Sequence, residues 1–189
     1  MSDHSRTRKG DIERAAELID AEFGRVARWK AVHEAGHLVV ALSLHWDLDQ
    51  ASIEQTSEQD AYARLRASKP NDQPIDYVRV GLAGALAVHI ENRWGPMEPG
   101  QDGGATDERV IEAMLLARYP ESDHTEVRGQ ARRETLEILQ SKWSQVEALA
   151  SALETEGTLT RDRVIAIVGP FGDAGSADLP SMTQPVRGS

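Results

Sequence analysis

The stretch Val32-His33-Glu34-Ala35-Gly36-His37-Leu38 lies in the densest apolar part of the chain and reads as one buried helix carrying a His-Glu-x-x-His pattern. Side chains four residues apart stack on one helical face, so the two imidazoles can reach one metal ion at about 2.0–2.1 Å. Glu34 follows His33 directly, which sets its carboxylate beside the ion rather than on it, as a general base for an attacking water. Borderline-soft zinc suits neutral imidazole, so one Zn2+ per chain is the cofactor expected. Two histidines at this spacing also occur on ordinary exposed helices. In this helix the neighbours are apolar, and polar side chains buried among them need partners. Gly36 is a second sign: a mid-helix glycine costs about 1 kcal/mol relative to alanine, which points to a close backbone approach there.

A catalytic zinc takes three protein ligands and keeps one position open. The astacin-like extension needs Gly and His three and six residues beyond the second histidine, but Val40 and Ser43 stand there. His45 would sit about 12 Å farther along the helix, too far to share the ion. The remaining candidates are His89, Glu91, Asp102, Asp107, Glu108 and Glu112. An Asp just ahead of an apolar helix is commonly a cap, so residue types alone leave the third ligand open.

Outward from the motif, helical periodicity extends from about Asp11 to Leu44, as one helix or two in succession, with Leu18, Ile19, Phe23, Val26, Trp29 and Val32 on one stripe. His45 to Gln50 breaks the pattern, and Ala51–Gln55 with Ala61–Leu65 reads as a small two-stranded pair. Asn71 to Pro74 is a turn, and Pro74 suits the first turn of a helix running through Val78, Leu82, Leu86 and Ile90 to about Trp94. Gly95 to Gly104 reads as a loop. Thr106 or Asp107 caps a helix whose apolar face carries Val110, Met114 and Ala117. Further helices are expected from Thr125 to Trp143, Val146 to Leu153 and Thr160 to Val168, with Thr160 as a cap; Trp143, Val146 and Leu149 read as core. The fold class is therefore mainly α with a small β-hairpin, the metal motif on a buried helix. Residues 11–168 form one domain between a disordered N-terminus (1–10) and a disordered tail (169–189).

With 189 residues, 40% hydrophobic and 28% charged, the chain suits one ordinary globular domain. It has no cysteine, which excludes disulfides, Cys-ligated zinc and a cysteine nucleophile. The net charge of −10 argues against nucleic-acid binding. No apolar run approaches the roughly 20 residues that span a bilayer, and the N-terminus lacks the apolar core of a signal peptide. A cytoplasmic protein without membrane insertion is expected.

Four stretches, in order, resemble the peptidase domain of the FtsH-type AAA+ zinc proteases. Ala31 to His37 is similar to that family's metal-binding helix, and Gly81 to Ile90 (GLAGALAVHI) to its Gly- and Ala-rich second helix. Gly103-Gly104-Ala105-Thr106-Asp107-Glu108-Arg109 resembles the loop and helix start that supply an aspartate ligand, and Glu126 to Leu159 the closing helical hairpin. The resemblance spans about Trp29 to Val168. It implies a zinc metalloendopeptidase in which His33, His37 and Asp107 hold the metal, with Asp102 as the fallback ligand, and Glu34 is the catalytic base. The chain departs from the family at Val88 and His89, where a Glu usually stands, and His89 has no assigned role.

No G-x-x-x-x-G-K-[ST] phosphate loop occurs in the chain, so a catalytic domain without an ATPase of its own is expected. Its substrates would be peptides or unfolded protein segments, docked by strand addition to the small β unit. A separate ATPase or a homo-oligomer is the further partner expected. The rival expectations are a catalytically degenerate metal-binding helical domain acting as an interaction or regulatory module, and a peptidase that cleaves one specific protein.

Overall fold

Every residue from Ala31 to Leu42 is buried, which puts the motif at the centre of the core. A computed structural model describes residues 4–54, 62–66, 73–93 and 105–169. The motif helix, α1 (His4–Ser43), runs 40 residues without a break. One continuous helix thus replaces a start at Asp11 and covers residues 4–10, where disorder was expected. The polar residues there include Arg and Lys, which are good helix formers, so polarity by itself does not end a helix.

After α1 come β1 (Asp47–Ser52), β2 (Tyr62–Arg66), α2 (Pro74–Glu91) and α3 (Ala105–Arg118). A short 3-10 turn then leads into α4 (His124–Ser141), α5 (Trp143–Glu156), β3 (Thr158–Thr160) and α6 (Arg161–Val168). The protein is mainly α with a small antiparallel β unit, as its composition and periodicity suggest. Pro74 occupies the start of α2 with Gln73 as its cap; the ring's fixed φ and missing N–H suit that position. The helix stops at Glu91, short of Trp94. Thr160 caps α6, its hydroxyl accepting from the Arg163 N–H.

The β-hairpin pairs β1 with β2, but β1 begins at Asp47, inside the stretch read as a break. A third strand, β3, lies along the other edge of β1 and gives the order β2-β1-β3. The sequence reading missed it because three residues carry no periodicity. Gly157 makes it reachable: with φ of 72° it ends α5 and turns the chain back onto β1.

Helix α1 packs against α2 and α5, and α2 is also flanked by α3 and α4. The larger core joins α1, α2, α5 and the sheet, and takes in Val146 and Leu149, with Trp143 packed against it. A smaller cluster of Val78, Ile111, Leu115 and Ala131 joins α3 to α2 and α4. The face of α3 differs from the one expected. Ile111 and Leu115 point inward, Met114 is partly buried, and Val110 and Ala117 are exposed. Both stripes of this helix are apolar, so periodicity could not choose between them. A notch at Gly81 does, since a Cβ there would lie 2.7 Å from the Ile111 Cγ1.

Among the described residues no helix is long and apolar enough to cross a membrane. The expected loop at 95–104, with Asp102, and the tail from 170 onward lie outside the described residues.

Candidate metal centre

His33 and His37 project from successive turns of α1 and are 4% and 6% exposed. Their rings meet edge to face, with centroids 4.7 Å apart and planes inclined by 75°. This brings the two Nε2 atoms to 3.0 Å from one another. Asp107, in the first turn of α3, places Oδ2 3.0 Å from His33 Nε2 and 3.3 Å from His37 Nε2. Ligand atoms in a tetrahedral site with bonds of about 2.0–2.1 Å sit about 3.3–3.4 Å apart, so the triangle is close to the size a metal requires. The buried His33, His37 and Asp107 group could hold a metal ion.

The protonation pattern makes the same point chemically. His37 Nδ1 lies 2.7 Å from the Val80 carbonyl oxygen, and a carbonyl only accepts, so Nδ1 carries the proton. In the neutral ring Nε2 then holds a lone pair. That lone pair, the His33 Nε2 and a carboxylate oxygen converge on one point. Such a donor set is stable around a cation, either a shared proton or a metal.

Two glycines allow this convergence. A Cβ at Gly36 would lie 2.7 Å from both the Ala83 carbonyl oxygen and the Ala87 Cβ, so the close approach expected there is that of the α2 backbone. A Cβ at Gly84 would lie 2.4 Å from the His33 Nε2. The Gly- and Ala-rich character of α2 therefore follows from the need to lay one backbone against the histidine face of α1.

Burial opposes charge on His37, but the hydrogen bond to Asp107 and the charges of Asp107 and Glu34 outweigh it, and the Val80 carbonyl adds to them; its pKa is raised to about 9. Burial likewise pushes Asp107 up, yet hydrogen bonds from His33 and His37 hold it well below the usual carboxylate range. Glu34 is 5% exposed, and its charge acts on His37, which sets it beside the group. The side chains of His33 and His37 are nearly closed off while that of Asp107 is 27% exposed. Solvent thus reaches the centre from the α3 side.

Among the described residues, the other sequence candidates are not brought into the group. Glu91 pairs with Arg28 at 2.9 Å, Glu108 pairs with Arg128, Glu112 and His45 are exposed, and His89 is partly buried on α2. Asp107 is a residue of the helix's first turn rather than its cap, since α3 begins at Ala105. Sequence reasoning missed the Val80 carbonyl and the seat at Gly84. The former has no residue-type signature, and the latter was visible only as an unexplained glycine in GLAGALAVHI.

No protein-family model matches the chain, and no curated protein matches it.

Proposed function

We propose that this protein is a zinc metalloendopeptidase of FtsH-like type, with His33, His37 and Asp107 as ligands and Glu34 as general base. The observation that carries this reading is the meeting of Asp107 Oδ2 with both Nε2 atoms at 3.0 and 3.3 Å, next to a buried carboxylate one residue from His33. A divalent ion in that group, zinc first by its match to imidazole, supplies Lewis acidity toward a peptide carbonyl and toward water. Glu34 takes the proton of the attacking water and returns it to the leaving amine. His37 is held in the ligating tautomer by Val80, and the closed His side excludes bulk water from the base.

The substrates that suit such a centre are peptides, flexible tails and locally unfolded segments, with β2 as the sheet edge along which an extended chain could lie. A separate ATPase is the partner that would deliver folded proteins.

Metal analysis combined with peptide cleavage tests the proposal. The wild type should hold about one zinc per chain, and His37→Ala and Asp107→Ala should lose it. Glu34→Gln should keep the zinc while hydrolysis falls by about 10²–10⁴-fold. Zinc bound with no cleavage of peptides or unfolded protein, in wild type and variant alike, would favour the degenerate interaction module. A wild type without metal would sink the peptidase reading.

A further inference from the structure

We infer that a single turn of α2, from Val80 to Gly84, positions both imidazoles, with Gly84 as the positioning residue that seats the ring of His33. The role in metal binding rests on the function proposed above; the seating of the ring does not.

The geometry at Gly84 is specific. A Cβ there would lie 2.4 Å from Nε2, 2.5 Å from Cε1 and 2.6 Å from Cδ2 of His33. Near-equal distances to the three atoms at the tip of the ring put that point over the ring's face. A point in line with the Nε2 lone pair would be clearly farther from the two carbons than from the nitrogen. The α2 backbone therefore lies flat against one face of His33 and leaves the in-plane side of Nε2 to Asp107, whose Oδ2 is 3.0 Å away. His37 stands across the other ring at 75°, with its Nδ1 held by Val80.

Val80 and Gly84 are one helical step apart in hydrogen bonding. The carbonyl of residue i−4 accepts from the N–H of residue i, and a carbonyl has two lone pairs. The oxygen that fixes His37 thus belongs to the same backbone link as the glycine that seats His33. The two rings are placed by one rigid unit, so any shift of that turn moves both together. Alanine is the better helix former, and the three nearest atoms that its methyl group would meet all belong to His33. The ring, not the helix, is what demands glycine at position 84.

The experiment is a double-mutant cycle of metal-free protein melts on wild type, Gly84→Ala, His33→Ala and the double variant, joined to Co2+ titrations of wild type and Gly84→Ala. Gly84→Ala should lower the Tm of the wild type. In the His33→Ala background it should lower nothing, and the helix preference of alanine should raise the Tm slightly. Co2+ affinity should fall about 10–100-fold in Gly84→Ala, with a changed d–d absorption band. An equal loss of Tm in both backgrounds would overturn the inference, as would a wild-type Co2+ spectrum and affinity in Gly84→Ala. If Gly84→Ala does not fold, a folded double variant supports the seating, and an unfolded double variant beside a folded His33→Ala refutes it. A wild type that binds no Co2+ would defeat the metal reading, while the melts would still decide whether Gly84 seats His33.

Discussion

Helix α1 delivers its two histidines from a segment buried without interruption from Ala31 to Leu42, whereas α3 delivers Asp107 from a helix whose buried residues are Ile111 and Leu115. The histidines are fixed by the packing of α1 against α2 and α5. Asp107 depends on the small cluster of Val78, Ile111, Leu115 and Ala131 and on its contacts with the rings. The ion pair of Glu108 with Arg128 adds little, because both side chains are more than a third exposed. A centre built this way has one rigid half and one half that the ligand contacts themselves help to hold. It is also open on the weaker half, where Asp107 meets solvent.

The sharpest way to break this contrast is to cut the anchor of α3. Leu115→Ala should cost about 2–5 kcal/mol in urea unfolding, and zinc content should fall with it although no ligand has changed. Full zinc occupancy in that variant would show that α3 does not rely on its small core. Chelation tests the other support. At metal concentrations near 100 times Kd, binding adds about 2.7 kcal/mol, so metal removal should lower Tm by about 5–10 °C. Amide exchange should then rise more in 105–118 than in 31–42, and a uniform rise would erase the distinction between the two helices.

Proton competition gives a smaller effect. In the metal-free protein His37 has a pKa raised from 6.5 to about 9, so the stability from its charged form is fully present below about 6.5 and is lost as pH rises through about 9. A metal needs the neutral ring and must displace that proton. Apparent zinc affinity, measured against a competing chelator, should therefore climb up to about tenfold per pH unit across this window and level off above it. A pH-independent affinity would remove His37 from the ligand set. The smallest effect belongs to Leu116, which is 74% exposed. Leu116→Ala should stay within about 0.5 kcal/mol of wild type in the same urea assay, in contrast with its neighbour Leu115.

Much of the rigid half was legible in the residues. The His33–His37 spacing and the apolar flank of Val32 to Leu44 define both the histidine pair and the core, and the close approach at Gly36 was readable from its mid-helix cost. The weaker half was not. The stripe through Val110, Met114 and Ala117 is as apolar in sequence as the one that is buried, and β3 is too short to announce itself. Residue chemistry left Asp107 as one acidic residue among several; the family resemblance singled it out, and the placement of α3 brings it to the histidines.

The sequence by itself determined what helix geometry can encode locally: two imidazoles four residues apart, a carboxylate beside them, and an apolar face that must be buried. The tertiary structure decided which carboxylate joins them, because Asp107 lies 74 positions from His33 and nothing local links the two. It also decided how the rings are aimed, since a carbonyl at Val80 and a missing methyl group at Gly84 act through the close approach of two backbones.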